Sequence, residues 1–383
     1  MKLLMVTQEK GGGRRFGLGK SLVPVIEELE RRGHEVGYLT QDDLGPKAQW
    51  LLGRVVTLLM RGWGDALGSL LGVVVAALLV GRQAALKARR EGYGHLHCHN
   101  AFIALGVWLW LPLWRAPRWG VTVHSFRATA QAVHRHVTPL GSFLRWLFRV
   151  AERRVLLRAS WVVMPSESGR RQIVEDLGLA RMPPRWVVIP HLLPRIRRYE
   201  RGEARRRLGW EREWLTVVGV GMLVPMKGFD RLVVALGRVT SDQPVQLVLV
   251  GEGDQEGMIR LAREVGLARP PLFAVTDDVG LYLSAADLYV SASSTESFGL
   301  ANVEAVLAGT PAICSAVGAV PEVIGGAAWL TTPEVEALCY AIQQFIDFAP
   351  LRRPQPRRQR LLGGHWPSDD DIIARYLEVY SRP

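Results

Sequence analysis

The chain is poor in cysteine, lacks a long apolar run and has few acidic residues in its first half. Its 383 residues contain three cysteines without pair spacing, which argues against a disulfide framework and against a cysteine-based zinc site. The apolar run from Ser69 to Val80 is shorter than the roughly 20 residues that a membrane-spanning helix needs. The apolar N-terminus is too short for a signal peptide. These absences predict a cytoplasmic protein in a reducing compartment.

The charge is distributed unevenly between the two halves of the chain. Residues 1–195 hold 28 Lys and Arg against 13 Asp and Glu, a net charge of +15, whereas residues 196–383 hold 20 against 23, a net charge of −3. The basic half predicts an anionic partner. Nucleic acid is not expected, because the charge is not interleaved with a recognised binding motif. An anionic membrane surface is the favoured candidate, with the protein peripheral on the inner face of the cell membrane.

Residues 50–90 mix apolar residues with tryptophan and arginine. Two interpretations stay open. The segment is either a buried helix of the first domain or a helix pair whose Trp, Leu and Arg side chains rest at a membrane interface.

The length suggests two domains, and a pattern of strand, glycine turn and helix occurs twice. The first copy begins with a strand over Leu3–Thr7, a turn at residues 11–13 and a helix from about residue 17 to 32. Leu215–Gly221 restarts the pattern after a charged linker. This is typical of doubly wound α/β domains. We predict domains at residues 1–195 and 196–366, followed by a helix over residues 367–383.

A P-loop is the alternative interpretation of the first glycine turn. Gly19-Lys20-Ser21 has the right ending, but the first glycine of that motif would fall at Arg14. Because the phosphate cradle depends on this spacing, we disfavour a P-loop.

The segment from Ser291 to Pro321 predicts a ligand site. Gly299 precedes a helix whose first N–H groups lack intrahelical partners, and such a terminus binds phosphate. Glu296 and Glu304 flank the terminus. Since a carboxylate repels phosphate, both are better suited to sugar or ribose hydroxyls. An ordinary loop and helix with two solvated glutamates is the alternative.

Histidines mark the ends of two predicted strands. His95, His97 and His99 alternate and would share one face of a strand. A metal site there is not favoured, because no carboxylate accompanies them. His124 ends the strand Val121–His124, where the alternatives are an active-site histidine and a satisfied core histidine.

The pattern Glu296-Ser297-Phe298-Gly299, with Glu304 eight positions after Glu296 and Gly309-Thr310-Pro311 behind it, resembles the signature of the GT4 family of retaining glycosyltransferases. The resemblance extends over most of the chain. It implies the GT-B fold, which has two Rossmann-like α/β domains facing across a cleft and a terminal helix that returns to the first domain.

The resemblance also implies a reaction. A sugar passes with retention from a nucleoside diphosphate sugar, a UDP-sugar or GDP-sugar, to the hydroxyl of a glycan or lipid-linked acceptor in cell-envelope biosynthesis. Neither a metal nor a separate cofactor is expected. Two alternatives remain, namely a GT-B sugar-nucleotide epimerase or phosphorylase, and a catalytically weak scaffold.

The resemblance also implies roles for individual residues of this chain, according to the motif positions that they match. The resemblance implies catalytic roles for His124, Lys227 and Glu296. The residues implied in donor binding are Gly12, Gly13, Gly221, Lys227, Phe298, Gly299, Leu300 and Glu304.

Three positions depart from the family pattern. The glycine that usually follows the strand Leu272–Val275 is absent. Met222 stands where an arginine usually helps Lys227 to neutralise the donor diphosphate, so one guanidinium is missing. His191 stands where an asparagine usually follows Pro190.

Overall fold

The computed structural model describes residues 1–9, 18–63, 65–111, 116–132, 139–211, 213–348, 361 and 364–382. The chain forms two compact units. Unit 1 comprises Met1–Leu192 with Pro367–Pro383, and unit 2 comprises Leu193–Trp366. The observed break thus falls three residues before the predicted one.

Unit 1 is built on a six-stranded parallel sheet, in the order β2-β1-β3-β4-β5-β6. Its strands are β1 (Lys2–Val6), β2 (Glu35–Leu39), β3 (His95–Cys98), β4 (Arg118–Thr122), β5 (Val162–Met164) and β6 (Trp186–Val188). β1 is buried on both faces from Leu3 to Val6, which explains why it is continuously apolar rather than alternating.

Within the described part of residues 1–192, helices connect or cover these strands. They are α1 (Leu18–Arg31), α2 (Pro46–Trp63), α3 (Asp65–Glu91), α4 (Ala101–Trp110), α5 (Thr129–Ala132), α6 (Pro139–Arg158) and α7 (Glu167–Asp176).

The long helix α3 packs closely on α4 through two glycines. A Cβ on Gly81 would lie 2.1 Å from the carbonyl oxygen of Ile103, and one on Gly106 would lie 2.4 Å from that of Leu78. Leu70–Glu91 is long and apolar enough to cross a membrane by length and composition, a test that core helices also pass. The buried alanine-rich face of α3, which includes Ala77 and Ala84, favours the core-helix interpretation for this helix.

Unit 2 has a second six-stranded parallel sheet, in the order β12-β11-β10-β7-β8-β9. Its strands are β7 (Leu215–Val220), β8 (Val245–Val250), β9 (Leu272–Ala274), β10 (Leu288–Ser291), β11 (Ala312–Ser315) and β12 (Trp329–Thr331). Its helices are α8 (Arg201–Leu208), α9 (Phe229–Arg238), α10 (Gln255–Glu264), α11 (Val279–Ala285), α12 (Leu300–Ala308), α13 (Val320–Ile324) and α14 (Val335–Asp347).

The final helix, α15 (Asp369–Ser381), belongs to unit 1. It starts at a capping box, in which the Ser368 side chain and the Asp371 carboxylate satisfy each other's backbone N–H groups. Near its end, the Tyr380 hydroxyl lies 2.7 Å from Nδ1 of His97, and Arg118 donates to the Tyr380 carbonyl at 3.0 Å. These contacts attach the end of the chain to β3 and β4.

Candidate active site

The predicted donor residues of unit 2 meet at the switch point of its sheet. β7 lies between β8 and β10, so the connections from β7 and from β10 leave in opposite directions, which is where open α/β sheets bind ligands. Lys227 follows β7 and Glu296 follows β10. The Lys227 ammonium lies 2.5 Å from Oε1 of Glu296, and Ser293 donates to the same oxygen at 2.9 Å.

Backbone contacts hold these two loops together. Gly228 adopts a φ of +65°, and a Cβ there would lie 2.2 Å from the carbonyl oxygen of Ala292. That oxygen accepts a 2.6 Å hydrogen bond from Arg231, and the Ser294 amide donates to Met226 at 2.8 Å. Sequence reasoning missed the bracing role of Arg231. Its place in the first turn of α9, directly after the Lys227 loop, is the only signal that could have indicated it.

The N-cap residue of α12 is Gly299, which has a φ of +83°, and no side chain caps the helix. The first-turn amides therefore point out of the helix without a capping side chain, as anion binding requires. The Phe298 side chain is buried and packs edge-on against Trp366, with ring centroids 5.7 Å apart. Phe298 thus anchors the turn at the start of α12.

Neither glutamate of the motif is solvated. The Glu296 side chain is 13% exposed and Glu304, on α12, is 7% exposed. The alternative of an ordinary loop with two solvated glutamates is therefore wrong. Burial of a carboxylate is costly unless it is paired, and the Lys227 ammonium provides that partner for Glu296.

Met222 occupies the position expected for an arginine and is 55% exposed. The neighbouring Gly221 adopts a φ of +146°, and a Cβ there would be in ordinary contact with the Lys227 side chain at 3.5 Å. Gly221 thus lies beneath the lysine stem. Lys227 is also the only lysine in the sequence between residues 193 and 366.

His124 of unit 1 belongs to a histidine column, defined here as His97, His99, His124 and His191. The rings of His97 and His99 stack at 4.5 Å, and those of His124 and His191 stack at 5.7 Å with an interplanar angle of 2°. Nδ1 of His99 and Nε2 of His124 lie 2.9 Å apart, and Nε2 of His99 lies 3.4 Å from the sulfur of Met5.

Full burial of His97, His99 and His191 and partial burial of His124 keep the column neutral. Burial lowers the pKa of His97 to about 3 and that of His191 to about 4. The pKa values of His99 and His124 also lie well below the usual range, first through burial and then through the neighbouring histidines. Within the ranges that the structure describes, no group of three His, Cys, Asp or Glu could hold a metal ion. His97 bonds instead to Tyr380 and, at 2.7 Å, to Thr122.

A cavity of about 890 Å³ lies at the carboxyl ends of β1, β2 and β3, the switch point of the sheet of unit 1. One wall is apolar and comes from α2 and α3. The other is polar and includes Glu9, Asp42, His99 and Asn100. The lining residues are Gln8, Glu9, Leu18, Gln41, Asp42, Gln49, Leu52, Gly53, Val56, Gly72, Val73, Ala76, His99 and Asn100. The predicted ligand glycines Gly12 and Gly13 lie outside the described residues.

Comparison with solved structures shows the fold. Sucrose-phosphate synthase from Thermosynechococcus elongatus is similar with a TM-score of 0.70 at 21% identity, over 99% of this chain and 98% of that one. WaaG, a glycosyltransferase involved in lipopolysaccharide biosynthesis, is similar with a TM-score of 0.73 at 15% identity, over 100% of both chains. HepE from Anabaena, in complex with UDP, is similar with a TM-score of 0.65 at 17% identity, over 100% of both chains. These neighbours are GT-B glycosyltransferases, and the predicted GT-B fold is confirmed.

Two family models match the sequence. The one described as Glycosyltransferase Family 4 matches residues 17–193, and the one described as Glycosyl transferases group 1 matches residues 200–359. The two cover 177 and 160 residues, together 337 of 383. The chain belongs to the GT4, or group 1, family of glycosyltransferases, as predicted.

Curated relatives agree with this assignment. The D-inositol 3-phosphate glycosyltransferase of Thermomonospora curvata is 29% identical over 97% of this chain and 92% of its own length. That of Geodermatophilus obscurus is 28% identical over 81% of this chain and 72% of its own length.

Proposed function

We propose that this glycosyltransferase is a retaining enzyme whose donor, a nucleoside diphosphate sugar, binds to unit 2. The observation that carries the proposal is the Lys227–Glu296 pair at the switch point, beside the uncapped N-terminus of α12. The HepE structures contain UDP and UDP-glucose, so UDP-sugars are the first donors to test and GDP-sugars the second.

Each donor-site group has a role that follows from its charge. Lys227 and the amides from Phe298 to Leu300 neutralise the diphosphate, since a cation and a helix N-terminus both attract anions. Glu304 accepts from the ribose hydroxyls. Glu296 accepts from a hydroxyl of the donor sugar. Its Oε1 is already engaged by Lys227 and Ser293, which leaves Oε2 for the sugar.

The chemistry follows from these positions. The bond between C1 of the sugar and the phosphate oxygen breaks, and the acceptor oxygen bonds to C1 on the same face. A leaving phosphate oxygen takes the acceptor proton, so the products are a retained glycoside and a nucleoside diphosphate. The charge that develops on the diphosphate is stabilised by groups already in place, which is commonly the largest catalytic contribution. We propose no metal cofactor, because Lys227 and α12 supply positive charge where it develops.

Selective labelling of Lys227 tests the donor site. Lys227 is the only lysine in residues 193–366, so an amine-acylating reagent followed by peptide mass spectrometry reports on it without ambiguity. We expect a UDP-sugar or GDP-sugar to slow acylation of Lys227 several-fold, while Lys47 on α2 reacts unchanged. Equal acylation of Lys227 with and without every nucleotide sugar would contradict the proposal.

We further propose an amphiphilic acceptor that binds in the cavity of unit 1. Ligand sites are concave, with apolar walls and a few polar groups that orient the ligand. Glu9, Asp42 and Asn100 suit a hydroxyl-rich head, and the wall formed by Leu52 and Val56 suits an aliphatic chain. The acceptor is therefore a lipid-linked glycan or polyol.

A polar substitution in the apolar wall tests this acceptor class. Val56→Ser is expected to raise the KM for a lipid-linked acceptor about tenfold and to leave the KM for the donor unchanged. Leu58→Ser is the matched control, because Leu58 lies on the same helix but is exposed. Equal kinetics for the two variants would contradict a lipid site in this cavity.

The outward side of α6 supports attachment to an anionic membrane at its cytoplasmic face. It exposes Phe143, Trp146 and Leu147 in its first turns, followed by Arg149 and Arg153. Aromatic and basic side chains on one helix side suit a membrane interface. Phe143→Ser with Trp146→Ser should abolish co-sedimentation with anionic vesicles, whereas Tyr340→Ser, at an exposed aromatic of unit 2, should not. Wild-type protein that sediments with neither anionic nor neutral vesicles would refute attachment.

A catalytically weak scaffold is the second candidate, and the exposed Met222 favours it. A missing guanidinium costs a charge-assisted contact with the diphosphate, typically 1.5–3 kcal/mol, or roughly ten- to a hundredfold in donor affinity. Met222→Arg should raise donor affinity and the transfer rate of an enzyme. A scaffold would gain no transfer activity from the same substitution.

A further inference from the structure

The contacts of His99 determine which nitrogen of His124 carries a proton. Nδ1 of His99 faces Nε2 of His124 at 2.9 Å, and Nε2 of His99 faces the Met5 sulfur at 3.4 Å. A neutral imidazole has one N–H donor and one lone-pair acceptor. The two contacts of His99 must therefore have opposite polarity.

The sulfur decides the direction of both hydrogen bonds. A thioether has no hydrogen to donate and acts only as a weak acceptor. Nε2 of His99 therefore carries the hydrogen and donates to Met5, and Nδ1 of His99 accepts. Nε2 of His124 must then donate to His99. Consequently Nδ1 of His124 holds a lone pair.

The surroundings of His124 leave this lone pair for a ligand. No residue that the structure describes hydrogen-bonds to Nδ1 of His124. The ring of His191 lies parallel to it at 5.7 Å, and the 2.9 Å bond to His99 fixes the other side of the imidazole. The ring is thus held in its plane, with one acceptor atom in a fixed direction at the carboxyl end of β4.

We propose that Met5 and His99 are positioning residues that hold His124 as the Nε2–H tautomer, so that its Nδ1 accepts a hydrogen bond from a substrate hydroxyl. The identity of that hydroxyl, on a sugar, rests on the proposed function; the tautomer does not. The ligand group must carry a hydrogen, because an ether oxygen or a fluorine at the same place would face a lone pair.

The tautomer can be measured on the full chain without any ligand. Nitrogen-15 histidine labelling and long-range proton–nitrogen correlation distinguish Nε2–H from Nδ1–H imidazoles, and His99→Gln and His124→Gln assign the two residues among the nine histidines. Near pH 7.5 we expect the Nε2–H pattern for both. An Nδ1–H pattern for His124 in the wild type would by itself overturn the proposal.

Met5→Leu tests the role of the sulfur. It removes the acceptor at nearly constant volume, so the His124 signals should shift toward a mixture of tautomers. Met164→Leu, at another buried methionine of the same sheet, is the control and should leave them unchanged. A His124 pattern that is identical in wild type and Met5→Leu would overturn the role of Met5.

Substrate analogues test the acceptor role of Nδ1. We compare transfer with sugars in which each hydroxyl in turn is replaced by hydrogen or by fluorine. At one position, both replacements should lower kcat/KM by about tenfold or more in the wild type, and by much less in His124→Ala. Full activity of the fluoro sugar at every position where the deoxy sugar fails would mean that His124 donates, and would overturn the inference. If no nucleotide sugar supports transfer at all, the proposed function fails, and the nitrogen spectra still decide the tautomer.

Discussion

Acidification should destabilise unit 1 through its buried histidines. In the folded state His97 stays neutral down to about pH 3, because burial lowers its pKa that far. In the unfolded chain it takes up a proton below its ordinary pKa of 6.5. The folded state therefore binds fewer protons in this window. The stability contributed by neutral His97 is complete above pH 6.5 and is lost as the pH falls.

The size of the effect follows from the width of that window. Each pH unit below 6.5 costs about 1.4 kcal/mol per neutral buried histidine. His191, with a pKa of about 4, and also His99 and His124, act in the same direction. Glu152 opposes them, since burial raises its pKa to about 7 and its protonation favours the folded state. Burial also lowers the pKa of His95 and raises that of Glu9 in unit 1, and these two effects oppose each other. The histidines outweigh the carboxyls, which leaves a net loss of about 4 kcal/mol between roughly pH 7.5 and 5.5.

A single substitution isolates the contribution of one histidine. His97→Gln keeps a polar side chain between Thr122 and Tyr380 but does not titrate. Denaturant unfolding of unit 1 across about pH 6.5 to 4.5 should show a slope smaller than that of wild type by about 1.4 kcal/mol per pH unit. Glu152 cancels in this difference. His365→Gln, at an exposed histidine of unit 2, is the control. Equal slopes for wild type and His97→Gln would refute the account of a neutral buried column.

Three further predictions concern close packing. Gly81→Ala should lower the stability of unit 1 by several kcal/mol, because its Cβ would lie 2.1 Å from the carbonyl oxygen of Ile103. The control is Gly53→Ala on α2, where a Cβ would have nothing within 4 Å, and it should be neutral or stabilising by up to about 1 kcal/mol. Calorimetry checks both variants. Gly318→Ala places a Cβ 1.9 Å from the main-chain carbonyl oxygen of Glu296, at a φ of +57°. It should therefore weaken donor binding, measured by titration, while the melting of unit 1 stays unchanged. Removal of residues 367–383 exposes His97 and should abolish cooperative melting of unit 1; a truncated chain that melts like wild type would contradict the role of α15.

Much of this architecture was predictable because it depends on local patterns. The strand at Leu3–Val6 and the strand before Gly221 are mostly apolar runs, as buried parallel strands are. The helix start at Gly299 and the spacing of Glu296 from Glu304 also lie within a single segment. Such features are set by neighbouring residues, so the sequence alone indicates them.

The remaining features depend on contacts between distant segments. The hydrogen bond from Arg231 to Ala292 joins residues 61 positions apart, and that of Tyr380 with His97 joins residues 283 apart. No periodicity in the sequence indicates such pairs. The alternation of His95, His97 and His99 was visible, but its meaning was not. The His97 side chain hydrogen-bonds to Tyr380, whereas that of His99 contacts Met5 and His124. Only the folded sheet brings these partners together.

Donor binding by unit 2 is the central claim, and thermal unfolding with UDP, GDP and ADP tests it most directly. A ligand present at about 100 times its Kd stabilises the folded protein by about 2.7 kcal/mol. For a unit of this size, that free energy raises the Tm by roughly 5–10 °C. The account predicts this shift with one nucleotide, its loss in Lys227→Gln and Glu304→Gln, and its retention in Arg260→Gln, at an exposed arginine of unit 2. No shift with any of the three nucleotides, or an undiminished shift in Glu304→Gln, would contradict it.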